Sequence, residues 1–217
     1  GTDAWIERIS VQEMPALCAT VWMLEKMAKD DNMSLADLGK SILHDHGLTT
    51  RILRVANSIT YNRSNSSITT ISRAVVLLGF NALKQICITA KLVDSLLKNR
   101  DISQSVYDRL MRLMAQSFHA GMLTKMLLAE HDEDTREEAF IAALLHNLGE
   151  SAFWSLGGPL AEELDEKLRN APATQHDELV RETLGTSFNK LSIGLASSWR
   201  MGKLLIASLQ DPDRRTP

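Results

Sequence analysis

Apolar residues recur along this chain at steps of three and four, the spacing that places them on one face of an α-helix. Leu17, Val21, Leu24 and Ala28 form one such stripe, and Leu48, Ile52 and Val55 form another with polar Arg51 and Arg54 between them. Ser34 followed by Asp37 reads as a capping box for a short helix reaching about residue 43. A short helix is predicted over 71–78, ended by Gly79, and Leu83, Ile86, Cys87, Ala90, Val93 and Leu97 mark a longer one. Tyr107, Leu110, Met114, Ser117, Gly121 and Met122 mark a long helix that reaches about residue 130. Its small residues Ser117 and Gly121, one turn apart, would let another helix come close. Residues 139–148 are apolar on most faces, so their helix is expected to be central and buried. Further helices are predicted over 160–169, 174–184 and 187–199, with a last piece near 204–209.

The interruptions are as informative as the stripes. Residues 58–70 are rich in Ser, Thr and Asn and read as an ordered loop. Residues 100–103 break the periodicity and mark the boundary between two helical halves. Residues 131–135 form a charged turn, and Gly157, Gly158 and Pro159 make the clearest stop in the chain. No alternating pattern of useful length predicts a strand, and at a typical helix length the chain holds roughly ten to thirteen helices. The predicted fold class is therefore all-α. Residues 1–12 are expected to be a leader, and Gly1, Thr2 and Asp3, with neither a starting Met nor a signal peptide, read as a cloning remnant or the start of an excised fragment. Residues 206–217 read as a linker toward more protein.

Composition narrows the functional classes. The 217 residues allow one or two domains with a sizeable core. A net charge of −3 argues against a protein whose work is to neutralise phosphate backbones, so no nucleic-acid partner is expected. Cys18 and Cys87 are far apart and form neither a disulfide framework nor a CxxC site, which suits a reducing cytoplasm. No apolar run approaches the roughly eighteen residues of a membrane span. Phosphate-loop, dinucleotide and nucleophile-elbow motifs are absent, and no spacing proposes a catalytic triad. The nine Met residues, among them Met111, Met114, Met122 and Met126, read as adaptable core.

Histidine is the residue type that could carry chemistry. His146 stands at the end of the apolar helix, before Asn147, Leu148, Gly149 and Glu150. It could point into a pocket, or it could be a boundary histidine bonded to a carbonyl. His44, Asp45 and His46 are local donors, but adjacent residues rarely converge on one ion, and a helix-end turn accounts for them. His119 lies one helical turn from Gln116 and shares its face. The run His131, Asp132, Glu133, Asp134 is acidic enough to attract a cation, yet a solvated turn before a helix explains it through the helix dipole.

Residues 142–150, AALLHNLGE, resemble the "LLHDIGK" segment of HD-domain metal phosphohydrolases. More specifically, the chain resembles the HDOD family, the HD-related output domains of bacterial signalling proteins. Residues 48–58, LTTRILRVANS, are similar to that family's "LTARLLRLANS", and 68–79, ITTISRAVVLLG, to its "IxxIxxAIxxLG". Residues 14–17 suit its "LPxLP", and Trp199 stands where a Trp is usual. The resemblance covers roughly residues 13–205 and makes Asn57, Ser58, Gly79 and Trp199 structural signature positions. It implies one domain in two packed helical halves, 13–100 and a degenerate HD-like half over 101–205.

An HD hydrolase holds a divalent metal with His, His-Asp and a further Asp, and the metal lowers the pKa of a bound water. Set against that pattern, Asn147 replaces the bridging carboxylate and Gln116 stands where the first His would be. Glu150 replaces a Lys, and Phe188 lies where another His is found in some members. An uncharged amide is a weak ligand, so no metal, no cofactor and no catalytic residue are expected. Gln116, His119, His146, Asn147 and Glu150 remain as a relict pocket that could take a small ligand. The resemblance implies a non-catalytic regulatory or scaffolding domain of a cytoplasmic bacterial signal-transduction protein, with other signalling domains as partners. The alternative is a metal-dependent phosphohydrolase acting on a nucleotide or cyclic dinucleotide, which keeps His146 and borrows His119 or nearby acids.

Overall fold

The computed structural model describes residues 1–13, 53, 57, 69–70, 76, 79–98 and 101–210. These residues contain helices and no strand. The order is α1 (Thr2–Glu7) running into a π-helical stretch (Arg8–Glu13), then α2 (Phe80–Leu97), α3 (Gln104–Leu127), α4 (Glu133–Leu145) and α5 (Leu148–Leu156). They are followed by α6 (Pro159–Asn170), a 3₁₀ turn (Ala173–Gln175), α7 (His176–Leu184), α8 (Phe188–Ser198) and α9 (Lys203–Leu209). The all-α class is as expected. The stripes over 17–28 and 34–43, the loop over 58–68, Ser58 and His44 to His46 lie outside the described residues.

Local chemistry sets several helix starts. The Ser103 hydroxyl accepts from the Val106 N–H at 3.3 Å to cap α3, Asp132 accepts from the Thr135 N–H at 2.8 Å to cap α4, and Ser187 accepts from the Lys190 N–H at 3.2 Å to cap α8. Pro159 opens α6, where its missing N–H costs nothing. Gly79 precedes α2 at φ 83°, a left-handed conformation that a side chain resists. Asn57 closes its turn twice, with its N–H and Nδ2 both donating to the Leu53 carbonyl at 2.9 and 2.8 Å.

Three features depart from the sequence reading, the smallest being that residues 206–209, expected to open a linker, complete α9 with Leu209 buried. The helix expected over 139–148 begins six residues earlier, at Glu133, because Asp132 caps it, and it ends at Leu145. Beyond the break at His146 and Asn147, α5 is a separate helix that the sequence pattern did not predict. It is the centre of the bundle: Leu148, Ala152, Phe153 and Trp154 are all 2% exposed or less, and it packs on α2, α3, α6 and α8. All its residues but Glu150 are buried, Ser151 and Ser155 included, so no apolar stripe against a polar face announces it. Gly149 lets α8 approach, since a Cβ there would lie 2.6 Å from the Ser192 nitrogen. The close approach expected at Gly121 is also present, where a Cβ would lie 2.7 Å from the Phe140 ring of α4.

The third departure is the leader, which is ordered. Trp5 and Ile9 are buried, and α1 lies along α8. The Trp5 ring meets Phe153 edge-on at 5.6 Å, and its Nε1 donates to the Leu184 carbonyl at 3.0 Å. Trp199, at the C-terminal end of α8, is 3% exposed, and its Nε1 donates to the Ser10 hydroxyl at 2.7 Å.

Candidate functional site

The junction of α4 and α5 places His146 and Asn147. Along α3 the inward positions are Leu110, Met114, Ser117, Gly121 and Lys125, spaced mostly four apart so that they line one face against α4 and α5. Each residue turns the helix by about 100°. Gln116, one position from Ser117, and His119, two positions away, therefore leave that face, and both are exposed. His146 is exposed as well, while Asn147 and Glu150 are half-buried.

Asn147 is committed within the protein. Its Nδ2 donates to the Ser117 hydroxyl at 3.3 Å, and its Oδ1 lies 3.4 Å from His146 Nδ1. These are long contacts, but their direction matters. An amide nitrogen is a donor and cannot ligate a cation, and the amide oxygen carries no formal charge. An HD-type metal needs anionic and imidazole donors converging on one point. Here Gln116 and His146 face solvent and the Asn147 amide bonds its neighbours, so the donor set does not fit such a metal. No group of three or more His, Cys, Asp or Glu among the described residues is arranged to hold an ion.

Glu150 takes part in a different cluster. Its Oε1 accepts from Trp154 Nε1 at 3.0 Å, one turn along α5. Burial pushes the Glu150 carboxyl above its ordinary value, and the Trp154 bond and the Arg109 charge only partly offset this. The Arg109 guanidinium stacks over the Trp154 ring at 5.0 Å and donates to Asp165 at 2.7 Å. Asp165 also accepts from the Ser105 hydroxyl at 2.5 Å and from Arg169 at 3.0 Å. Burial alone would raise the Asp165 pKa, but the Ser105 bond and the two guanidinium groups hold it below the usual value. This cluster ties α3, α5 and α6 together.

A second polar seam joins α2, α3 and α4. Lys125, 5% exposed, pairs with Glu137, 2% exposed, and with Glu133 at 2.8 Å. Gln85 donates to Glu137 at 3.3 Å. The sequence reading missed both clusters, although each left a signal. Asp165 interrupts the stripe Ala161, Leu164, Leu168 at an inward position, and Lys125 ends the inward stripe of α3. The acidic run over 131–134 serves the fold: Asp132 caps α4, which lowers its pKa through the two Thr135 bonds, and Glu133 pairs with Lys125 and Arg136.

The described residues also line an open cleft of about 420 Å³ at the α7–α8 turn, formed by Arg181, Gly185, Thr186, Ser187 and Lys190. None of the five relict-pocket candidates lines it. No helix among the described residues is long and apolar enough to cross a membrane.

A family model of the HDOD domain matches residues 14–213. An uncharacterized protein of Treponema pallidum (strain Nichols) is 25% identical over 203 residues, covering 92% of this chain and 37% of its own length. A crystal structure of an HDOD domain protein of unknown function from Geobacter sulfurreducens superposes with a TM-score of 0.67 at 21% identity, over 92% of this chain and 65% of that one. A suggested phosphohydrolase from Shewanella amazonensis gives 0.62 at 22% identity, over 97% and 72%. A suggested signal transduction protein from Marinobacter aquaeolei gives 0.65 at 19% identity, over 99% and 50%. At these identities the solved structures establish the fold alone. The chain spans little over a third of its Treponema relative.

Proposed function

The chain belongs to the HDOD family, and from that premise we propose that it is a non-catalytic regulatory or scaffolding domain of a cytoplasmic bacterial signal-transduction protein. It would pass a sensory input to an output domain through contacts between packed helices. The observation that carries this reading is Asn147. It stands where the hydrolase motif has its bridging aspartate, and its Nδ2 donates to Ser117. The other positions support it. Gln116 faces solvent, and Glu150 puts a carboxylate where a phosphate-attracting Lys would stand. With such a donor set, activation of water by a metal has no ligands to rely on. The partners implied are other signalling domains or proteins, and the name of the Marinobacter structure agrees with that class.

The test pairs elemental analysis of tag-free protein with hydrolysis of a phosphodiester, bis(4-nitrophenyl) phosphate, in Mn²⁺, Fe²⁺ or Ni²⁺. The expected result is metal far below one ion per chain and no turnover above a His146→Ala control. Near-stoichiometric metal with turnover that disappears in His146→Ala would overturn the reading.

A further inference from the structure

Residues 2–10 precede the segment matched by the family model, yet they fold onto the C-terminal half. We propose that they form a releasable strap: docked, it covers the groove between α8 and the α7–α8 turn, and on release it bares that groove as a unit. This deepens the regulatory reading and rests on it for its use, because a regulatory domain needs an element with two arrangements.

The side-chain bonds described hold the strap at the two ends of α8, through Thr2 and Trp5 at the α7–α8 turn and through Ser10 at Trp199. Of its nine residues only Trp5 and Ile9 are buried. Among the described residues, side-chain bonds to the body run from Thr2 Oγ1 to Thr186 Oγ1 at 2.6 Å, from Trp5 Nε1 to the Leu184 carbonyl at 3.0 Å, and from Trp199 Nε1 to Ser10 Oγ at 2.7 Å. Ile6 lies over Gly194 of α8, where a Cβ would run into it. A segment with two buried anchors repays little of the entropy of ordering its backbone, which places it at the low end of local stability.

The backbone on both sides of the contact is unusual. From Arg8 the strap runs as a π-helix, a rare arrangement that is frequent at functional sites. Opposite it, Arg200 follows Trp199 at φ 53°, the one non-glycine residue at positive φ among those described. Such strain persists where surrounding contacts enforce it. The Trp199 indole, bonded to Ser10, is the neighbouring group through which the strap reaches this turn.

Hydrogen exchange of the full chain, read by NMR at the indole N–H groups of Trp5 and Trp199 and at the amides of residues 6–10, tests the strap. These protons are expected to exchange at one opening equilibrium, at least about tenfold faster than the amides of α5. Thr186→Val removes the bond to Thr2 without emptying the core, and should speed the whole set by roughly threefold to tenfold while leaving α5 unchanged. If the Trp5 indole exchanges only with α5, or if Thr186→Val shifts both by one factor, the strap opens only with global unfolding and the proposal fails. If residues 6–10 exchange rapidly while both indoles stay protected, the end merely frays and the proposal also fails. Neither failure bears on metal content or turnover, so the regulatory reading stands or falls separately.

Discussion

Lys125→Met removes the cation from the seam between α3 and α4. In the native protein Lys125 Nζ donates to Glu137 Oε1 and, at 2.8 Å, to Glu133 Oε1. Glu137 Oε1 also accepts from Gln85 at 3.3 Å, but Oε2 is buried without a hydrogen-bond partner. One carboxylate oxygen is thus already unsatisfied, and attraction to Lys125 is what keeps the charge tolerable inside. Met preserves the apolar stem, so the change deletes charge and donors and leaves little cavity. Removing one member of a buried pair costs about 3–5 kcal/mol. The Glu133 arm, on a side chain 37% exposed, adds at most about 1 kcal/mol. With a urea slope of roughly 2 kcal/mol/M, a total loss of about 3–6 kcal/mol should lower the unfolding midpoint by about 1.5–3 M. Lys125→Met/Glu137→Leu should recover most of the loss, because an apolar pair of similar volume is often neutral or stabilising. The assay is urea unfolding followed by far-UV circular dichroism for both variants and the wild type. A loss below about 1 kcal/mol in the single variant, or a double variant no more stable than the single, would refute the argument that an unpaired Glu137 sets the cost.

Two further predictions concern α5. Gly149→Ala places a Cβ 2.6 Å from the Ser192 nitrogen, so α5 and α8 must separate at a backbone contact. The expected loss is about 1–3 kcal/mol by the same unfolding assay, and an unchanged midpoint would mean that the helices pack less closely than described. Glu150→Gln keeps an acceptor for Trp154 but cannot ionise. Burial raises the folded pKa of Glu150 above the ordinary 4.5, so its ionisation costs stability as pH rises through the folded value. The variant should therefore melt higher than wild type at pH 7, and the difference should vanish below pH 4.5. A lower melting temperature at pH 7 would mean that attraction to Arg109 outweighs the burial.

The features legible in the chain alone are those that near neighbours control. The ends of α3, α4, α6 and α8 follow from Ser103, Asp132, Pro159 and Ser187, whose bonds or ring act within three residues of their own position. The start of α4 was still read late, because its first turn carries the acidic residues that also make a solvated turn. The identities of Asn147 and Glu150 were equally plain, since they are read directly from the chain.

Tertiary packing decided the rest. An apolar run is compatible with one helix or with two, and the break at His146 and Asn147 became visible only where α5 turns to meet α8 through Gly149. Which way Gln116 and His119 face depends on the rotation of α3 about its axis. That rotation is set by Ser117 and Gly121 packing toward α4, and a shift of one residue moves a side chain by about 100°. Arg109 and Asp165 are 56 residues apart, and Trp5 and Leu184 are 179 apart, so no local pattern could pair them. Hydrogen bonding within a turn is written in adjacent residues. The direction a side chain faces, and what it meets there, is settled when distant apolar surfaces are buried together.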